Sequence, residues 1–159
     1  GTPTATAEPT TAAATTVKLY LFSQQMFEDA EDDVFVVKNR TTTRADVATF
    51  AVEQLIIGPT ATEQATGLAG LFGDGEHVEF TSVSSCSGKD FTISIAARRA
   101  TVQFCRGTQL LGDFSGSFAT SQIAQTVNQF STVDSTRVLN SDGGCLNDLS
   151  GLPASECYQ

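Results

Sequence analysis

Apolar and polar residues alternate in several short stretches of this chain. In residues 17–22, Val17, Leu19 and Leu21 occupy every second position, which is typical of a strand with one buried face. Similar stretches, or short apolar runs, predict further strands at residues 34–37, 78–83, 91–95, 102–104 and 136–139. Polar or turn-forming residues separate these stretches, as expected for a small domain with several short strands.

Two of these strands are neighbours in the sequence. Residues 91–95 and 102–104 flank the short segment 97–100, so we predict an antiparallel hairpin whose turn is formed by residues 97–100. With this turn, Ile95 would pair with Val102 or its neighbour. The turn contains neither the Asn nor the Gly that a tight two-residue connection usually requires.

Apolar residues at helical spacing predict a first helix that begins near Thr43. The Thr43 hydroxyl can cap the helix, and Asp46 follows three residues later, as in a short capping box. The apolar side of this helix consists of Val47, Phe50, Ala51 and Leu55. Gly58 and Pro59 end it, because glycine tolerates a left-handed conformation and proline cannot continue a helix.

A second helix is predicted over residues 117–130. Its apolar side consists of Ile123, Ala124, Val127 and Phe130. Two amphipathic helices and several alternating strands predict an α/β fold of the α+β type. We expect a single mixed sheet of about five strands with both helices packed together on one face.

Length and composition restrict the domain count and the partners. A chain of 159 residues with 40% hydrophobic content fits one domain with its own core. Nine Lys and Arg residues against eighteen Asp and Glu residues give a net charge of −9, which disfavours nucleic acid and anionic membrane surfaces as partners. We also expect no transmembrane segment, since no apolar run approaches the roughly 20 residues that one requires.

The four cysteines are Cys86, Cys105, Cys145 and Cys157. They include no Cys-x-x-Cys pair, so structural disulfides are a better interpretation than a zinc or redox site, and they indicate an oxidising, extracytoplasmic compartment. Four cysteines allow three connectivities. The hairpin register brings Cys105 near Phe91 and hence near Cys86, which favours the pairs Cys86–Cys105 and Cys145–Cys157, while other pairings stay open.

Composition divides the chain into three segments. Residues 1–16 are almost entirely Thr, Ala and Pro, which predicts a disordered tether or simply a disordered terminus. Residues 17–140 carry the predicted strands and helices. Residues 141–159 are rich in Gly and Ser and hold the last two cysteines, so we predict a C-terminal extension closed by a disulfide.

Two charged groups are candidates for binding. Residues 28–33 contain five acids, which suggests calcium, but they lack the spacing and glycine of a calcium loop, so a solvated loop is favoured. Arg98, Arg99 and Arg106 could form a basic patch for a carboxylate or phosphate, or could be separate exposed charges. We expect no bound metal and no cofactor.

No complete catalytic motif is present. Residues 83–90 match a phosphate loop only at Gly88-Lys89, and residues 112–116 have the composition of a nucleophile elbow with the wrong spacing. A Ser-His-Asp triad would have to use His77, the one histidine. A pair of carboxylates that cleaves glycans leaves no spacing signature and stays open as the alternative. We expect no catalytic residues and no enzymatic activity.

Several short strings follow one another along the chain: the opening strand at residues 17–21, Val36-Val37 followed by Arg40 and Thr41, Leu55-Ile56-Ile57-Gly58-Pro59, Gly67-Leu68, residues 100–104, residues 125–133 and Arg137-Val138. In this order they resemble the sporulation and spore germination domain family known as GerMN. The resemblance covers about residues 17–140. It departs from the family at the hairpin turn, at Cys86 and Cys105, and in the tail.

The resemblance implies a small α/β domain of a bacterial secreted protein or lipoprotein. It further implies a binding or assembly module of the cell envelope, with an envelope protein or a peptidoglycan-associated partner, and it supplies no catalytic residues. Two hypotheses follow for function: a binding module, which we favour, and a hydrolase of envelope glycans. An exposed apolar patch would favour the first, and a cleft with two acids about 5–9 Å apart the second.

Overall fold

The computed structural model describes residues 13–147 and 153–159. The elements along this part of the chain are β1 (Thr15–Ser23), α1 (Gln24–Glu28), β2 (Phe35–Thr42), α2 (Val47–Ile57), α3 (Ala61–Ala65), β3 (Leu68–Ala69), β4 (Val78–Phe80), β5 (Phe91–Ala96), β6 (Arg99–Phe104), β7 (Thr108–Leu110), α4 (Ser115–Val127) and β8 (Ser135–Leu139). A short 3-10 helix, Ala154–Glu156, follows near the C-terminus.

The described strands form three small sheets, so the prediction of a single sheet of about five strands is wrong. Their orders are β2-β1-β3, β4-β7 and β5-β6-β8, and the pairing is antiparallel except between β6 and β8. Strand β1 has β2 along one edge; on the other edge β3 pairs with only the last two residues of β1, and the Gln129 side chain bonds to the backbone of Lys18, so the hairpin strands do not pair with β1. The three sheets are instead joined by side chains in one core, to which they contribute Leu19, Val78, Val102 and Val138.

The prediction of a mixed α and β fold is confirmed. Helices α2 and α4 contact each other and both contact β1. Their buried sides include Ala51, Val52 and Leu55 of α2 and Ile123, Ala124 and Val127 of α4. Burial of these apolar sides stabilises the helices, each of which is too short to be stable alone in water.

The helix boundaries differ partly from the predicted ones. Helix α2 ends as predicted, with Gly58 in a left-handed conformation at φ +89°. It begins at Val47 rather than near Thr43, because β2 continues to Thr42 and delays the start of the helix. Helix α4 lies two to three residues earlier than predicted, and half-buried Phe130 follows its end.

The hairpin is present, but its turn is shorter than predicted. Ala97 and Arg98 form a two-residue turn, and both have positive φ angles, 50° and 63°, as a type I′ turn requires. Ile95 therefore pairs with Ala100 and not with Val102 or its neighbour. At the open end, the Cys105 amide still donates to the Asp90 carbonyl at 2.8 Å.

Both ends of the predicted central domain extend further than the sequence indicates. Thr15 and Thr16, placed in the predicted tether, pair with Thr42 and Thr41 in the first sheet, whereas the tether's residues 1–12 lie outside the described residues. In the C-terminal extension, Gln159 and Thr136 exchange two backbone hydrogen bonds of 2.8 and 2.9 Å. Residues 148–152 also lie outside the described part.

Candidate functional site

The structure joins Cys86 to Cys105 and Cys145 to Cys157, the pairs that the hairpin register favours. The first disulfide ties the loop before β5 to the end of β6. The second closes the C-terminal extension against β8, where Leu146 is buried in the core. Two structural disulfides fit an extracytoplasmic location. Among residues 13–147 and 153–159, no helix is both long and apolar enough to cross a bilayer.

His77 and one serine of the elbow-like segment do lie together. The His77 Nδ1 atom is 3.1 Å from Ser115 Oγ. However, Ser115 is fully buried at 0% exposure, and within the described residues no carboxylate hydrogen-bonds to the imidazole. Gly116 is explained by packing, since a Cβ there would lie 2.9 Å from the Leu146 carbonyl oxygen. The geometry is that of a structural contact at the start of α4 and not of an accessible nucleophile.

The acids nearest to a cleft are engaged by an arginine. Arg44 donates to Asp46 at 2.7 and 2.9 Å and to Glu53 at 2.5 and 3.3 Å, at the edge of a cavity of about 680 Å³. The hydrogen bond from the Arg44 guanidinium holds the pKa of Asp46 below its ordinary value. A glycan hydrolase needs a carboxylic acid with a raised pKa, so Asp46 does not suit the role of proton donor.

The acidic run forms an exposed surface. Glu28 ends α1, and the acids that follow are exposed to solvent. Asp33 Oδ1 accepts a hydrogen bond from the Phe35 amide at 3.0 Å and so helps to begin β2. In the described part of the chain, no three His, Cys, Asp or Glu residues are grouped so that they could hold a metal ion.

The three arginines considered as a basic patch lie at different places. Arg98 pairs with Asp134 at the hairpin turn, at 2.8 Å. Arg106, beyond the opposite end of β6, pairs with Asp90 at 3.1 Å. Arg99 lies over the ring of Tyr158. The arginine patch suggested by the sequence is therefore not formed.

Arg40, to which the sequence assigns no role, connects two elements. Its guanidinium donates to the two carboxylate oxygens of Glu63 at 2.6 and 2.9 Å. Glu63 also accepts from the Thr60 amide, while Thr60 Oγ1 accepts from the Glu63 amide, which is a complete capping box of α3. Arg40 thus fixes α3 to β2.

A first exposed feature is a patch of phenylalanines, which we call the aromatic patch: Phe27, Phe114 and Phe118. Phe27 contacts Phe114 and Phe118, with ring centroids 6.2 and 5.4 Å apart. Phe114 is 59% exposed and Phe27 is 37% exposed. Beneath them, buried Phe22 contacts Phe27 and Phe118. The buried ring supports the exposed ones, so the patch is held in place by the core.

The segments that meet at the aromatic patch carry negative charge only. Residues 22–37, 70–80 and 108–118 contain no Lys or Arg and include nine of the chain's eighteen acids. Five of these acids are in residues 28–33, three are in residues 74–79 and the last is Asp113. Every ion pair in the described part of the chain involves other acids. We call the patch with these acids the acidic-aromatic surface.

A second exposed feature is a groove between α2 and β5, which we call the α2–β5 groove. The cavity of about 680 Å³ is lined by Thr49, Glu53, Ile56 and Ile57 of α2 and by residues 88–93. A second cavity of about 350 Å³ shares Asp46, Thr49 and Ile93 with the first and continues toward Ile95 and Phe130. Volumes of this size are common for ligand sites.

Neither exposed feature could be located from the sequence. Phe27 and Phe114 are distant in the chain and belong to no periodic pattern. The excess of acids in their segments can be counted in the sequence. That these segments lie side by side depends on tertiary contacts, which the sequence does not show. The α2–β5 groove likewise depends on how the hairpin lies beside α2.

The three sheets around one core, with two packed helices, define the chain as a small mixed α and β domain. Neither a protein-family model nor a curated protein matches it. Among solved structures, the first GerMN domain of the sporulation protein GerM from Bacillus subtilis matches with a TM-score of 0.56 at 14% identity, over 86% of this chain and 90% of that chain. The tandem GerMN domains of the same protein match at 21% identity and a TM-score of 0.49, over 96% of this chain and 50% of theirs.

The likeness to the single domain shows the fold. This chain has a GerMN-like fold, which confirms the resemblance seen in residues 17–140 at the level of the fold.

Proposed function

We propose that this chain is a non-catalytic, extracytoplasmic binding or assembly module of the bacterial cell envelope. The acidic-aromatic surface carries this proposal. An exposed apolar cluster that is supported from below, on chain segments that carry acids in no ion pair, is typical of a protein-binding surface. The similar solved structure is described as a domain of a sporulation protein, and the envelope role is what the family resemblance in residues 17–140 implies.

The charge of this surface indicates the kind of partner. Nine acids that take part in none of the ion pairs among the described residues favour a basic protein surface, and Phe114 at 59% exposure offers the central apolar contact. A basic envelope protein, or a basic protein associated with peptidoglycan, has the required chemistry. Electrostatic attraction would raise the rate of association, and burial of the aromatic rings would lower the rate of dissociation.

The domain division fits this role. We propose that the segment before β1 holds the domain away from an attachment point, that the chain from β1 to residue 140 forms the binding module and that residues 141–159 brace it through the second disulfide. In this proposal the protein is secreted or lipid-anchored at the envelope. The disulfides support an oxidising compartment.

Site-specific photo-crosslinking in the native envelope tests the proposal. A photoreactive phenylalanine at position 114 should capture a defined basic protein, and the same group at Val83, which is 88% exposed in another loop, should not. The Phe27→Ser/Phe114→Ser variant should lose that partner in a pull-down, whereas Val83→Ser should retain it. Equal capture at both positions would contradict a specific surface.

The hydrolase alternative has a separate test. We expect no turnover when the oxidised domain is incubated with peptidoglycan and with soluble glycan substrates. Turnover that is abolished by replacing one acidic residue, such as Asp46→Asn, would show that the protein is an enzyme.

A further inference from the structure

We propose that the α2–β5 groove binds the carboxyl-terminal end of an extended peptide, which adds to the open edge of β5 as an antiparallel strand. This site is separate from the acidic-aromatic surface and does not depend on the function proposed above. Three observations carry it: the free edge of β5, the apolar wall opposite that edge, and the charge at one end of the groove.

The hairpin register determines which backbone groups of β5 are free. In a hairpin with a two-residue turn, Ala96 and Arg99 exchange hydrogen bonds, and every second residue of β5 does the same. The Cys105 amide donates to the Asp90 carbonyl, and Asp90 continues the same series of every second residue back from Ala96. The N–H and C=O groups of Phe91, Ile93 and Ile95 therefore point away from β6.

No described strand pairs with that edge. Strand β5 is the outer strand of its sheet, in the order β5-β6-β8. Its six residues present about 20 Å of backbone at roughly 3.3 Å per residue. An exposed strand edge with alternating free donors and acceptors is a template for an added strand.

Helix α2 forms the opposite wall of the groove. The first cavity lies between Ile56 and Ile57 of α2 and Ile93 of β5, and the second reaches Ile95 and Phe130. In an added strand, side chains two residues apart point to the same face. A bound peptide would therefore place apolar side chains at alternate positions into the two cavities, while its backbone pairs with β5.

Charge selects the end of the peptide and its direction. Of the two cations that line the larger cavity, Arg44 is already bonded to Asp46 and Glu53. Lys89 forms no ion pair within the described residues and lies just before β5 begins. Asp90, the acid next to Lys89 in the same lining, is already paired with an arginine at 3.1 Å, so a terminal carboxylate beside Lys89 would meet a cation that is in no ion pair. A peptide that ends there runs antiparallel to β5.

A display library of random octapeptides with free carboxyl termini provides the test. The library is panned against the full chain with its disulfides intact. We expect enrichment of peptides with apolar residues at the last position and at the second position before it. Failure to enrich any sequence over the starting library would overturn the proposal.

The enriched peptide then tests the carboxylate. Amidation of its C-terminus should weaken binding about tenfold, and Lys89→Ala should do the same. The two changes together should cost no more than either alone, because both remove one contact. Lys18→Ala, which removes an exposed lysine of β1, should leave affinity unchanged. Additive losses, or an amidated peptide that binds equally well, would overturn the assignment of Lys89.

Hydrogen exchange locates the bound peptide. The amides of Phe91, Ile93 and Ile95 should become protected, whereas those of Thr92 and Ser94, which already bond to β6, should change little. Protection of the first three amides without peptide, together with a dimer in ultracentrifugation, would show that a second copy of the chain occupies the edge and would overturn the peptide proposal. If the exchange rates of these three amides do not change when the peptide binds, the peptide binds elsewhere and the proposal is wrong.

Discussion

The Arg40–Glu63 contact and the acidic-aromatic surface place carboxylates in opposite surroundings. The Glu63 side chain is only 13% exposed and receives two hydrogen bonds from Arg40. The nine acids of the surface segments take part in none of the ion pairs among the described residues. Negative charge therefore has two roles in this domain. Glu63 joins α3 to β2 through an ion pair, while the surface acids form no ion pair between elements and repel one another.

This contrast also bears on function. A carboxylate whose oxygens already accept hydrogen bonds within the domain is not free to bind a partner. Unpaired acids around exposed rings lower stability slightly in the free domain, and a basic partner would remove that repulsion. Stability measurements on single variants can therefore distinguish residues that hold the fold together from residues that are available for contact.

The largest expected effect is that of Glu63→Gln. Hydrogen bonding to Arg40 lowers the pKa of Glu63 from 4.5 to about 2. Because the folded-state pKa is depressed, the stabilisation is fully present above the ordinary value and is lost as the pH falls from about 4.5 toward 2. Urea unfolding at pH 7 should show a loss of roughly 2–3 kcal/mol for the variant.

The pH dependence supplies the control for this variant. Between pH 5 and pH 3 the wild-type domain should lose more stability than Glu63→Gln, so that the difference between the two shrinks. Asp134→Asn, which removes the exposed partner of Arg98, should change stability much less. An equal pH dependence in wild type and Glu63→Gln would show that this carboxylate is not held by Arg40.

How far these features can be predicted depends on how local their causes are. The end of α2 is predictable because Gly58 and Pro59 act on their own backbone. Most strands are predictable because their alternation is a property of a few adjacent residues. The assembly into three sheets is not, since the second edge of β1 is met by contacts between distant parts of the chain: β3 pairs with its last two residues, and the Gln129 side chain bonds to the backbone of Lys18.

The hairpin turn shows a different limit. Ala97 and Arg98 both adopt positive φ angles although neither is Gly or Asn. Arg98 donates to Asp134 and to the Ser131 carbonyl, contacts that help to hold the turn. Tertiary contacts thus override the local preference, and the turn is two residues shorter than the sequence indicates. The aromatic patch and the α2–β5 groove are beyond local prediction for the same reason.

A smaller effect is expected for Phe114→Ser. The Phe114 ring is 59% exposed, so its removal should cost about 1 kcal/mol or less in urea unfolding, in spite of its contacts with Phe27 and Phe118. Val83→Ser, at 88% exposure, is the matched control and should have no measurable effect. A loss of 3 kcal/mol or more, the range for a buried phenylalanine, would show that the ring serves the core rather than a partner.

The smallest expected effect has the opposite sign. Glu31→Gln/Asp32→Asn removes two charges from the acidic run, where both residues are exposed and neither side chain has a hydrogen-bond partner within the described residues. Relief of repulsion should leave the melting temperature of the free domain equal to or slightly above that of wild type at low salt. The difference should vanish near 1 M salt, where the screening length falls to about 3 Å. Scanning calorimetry at both salt concentrations measures this. Asp142→Ala is a control that removes the side-chain oxygen accepting from the Gly144 amide at 2.9 Å, so its effect should be destabilising and should depend little on salt. A clear loss of stability in the Glu31→Gln/Asp32→Asn variant would mean that these acids make bonds within the domain and are not free for a partner.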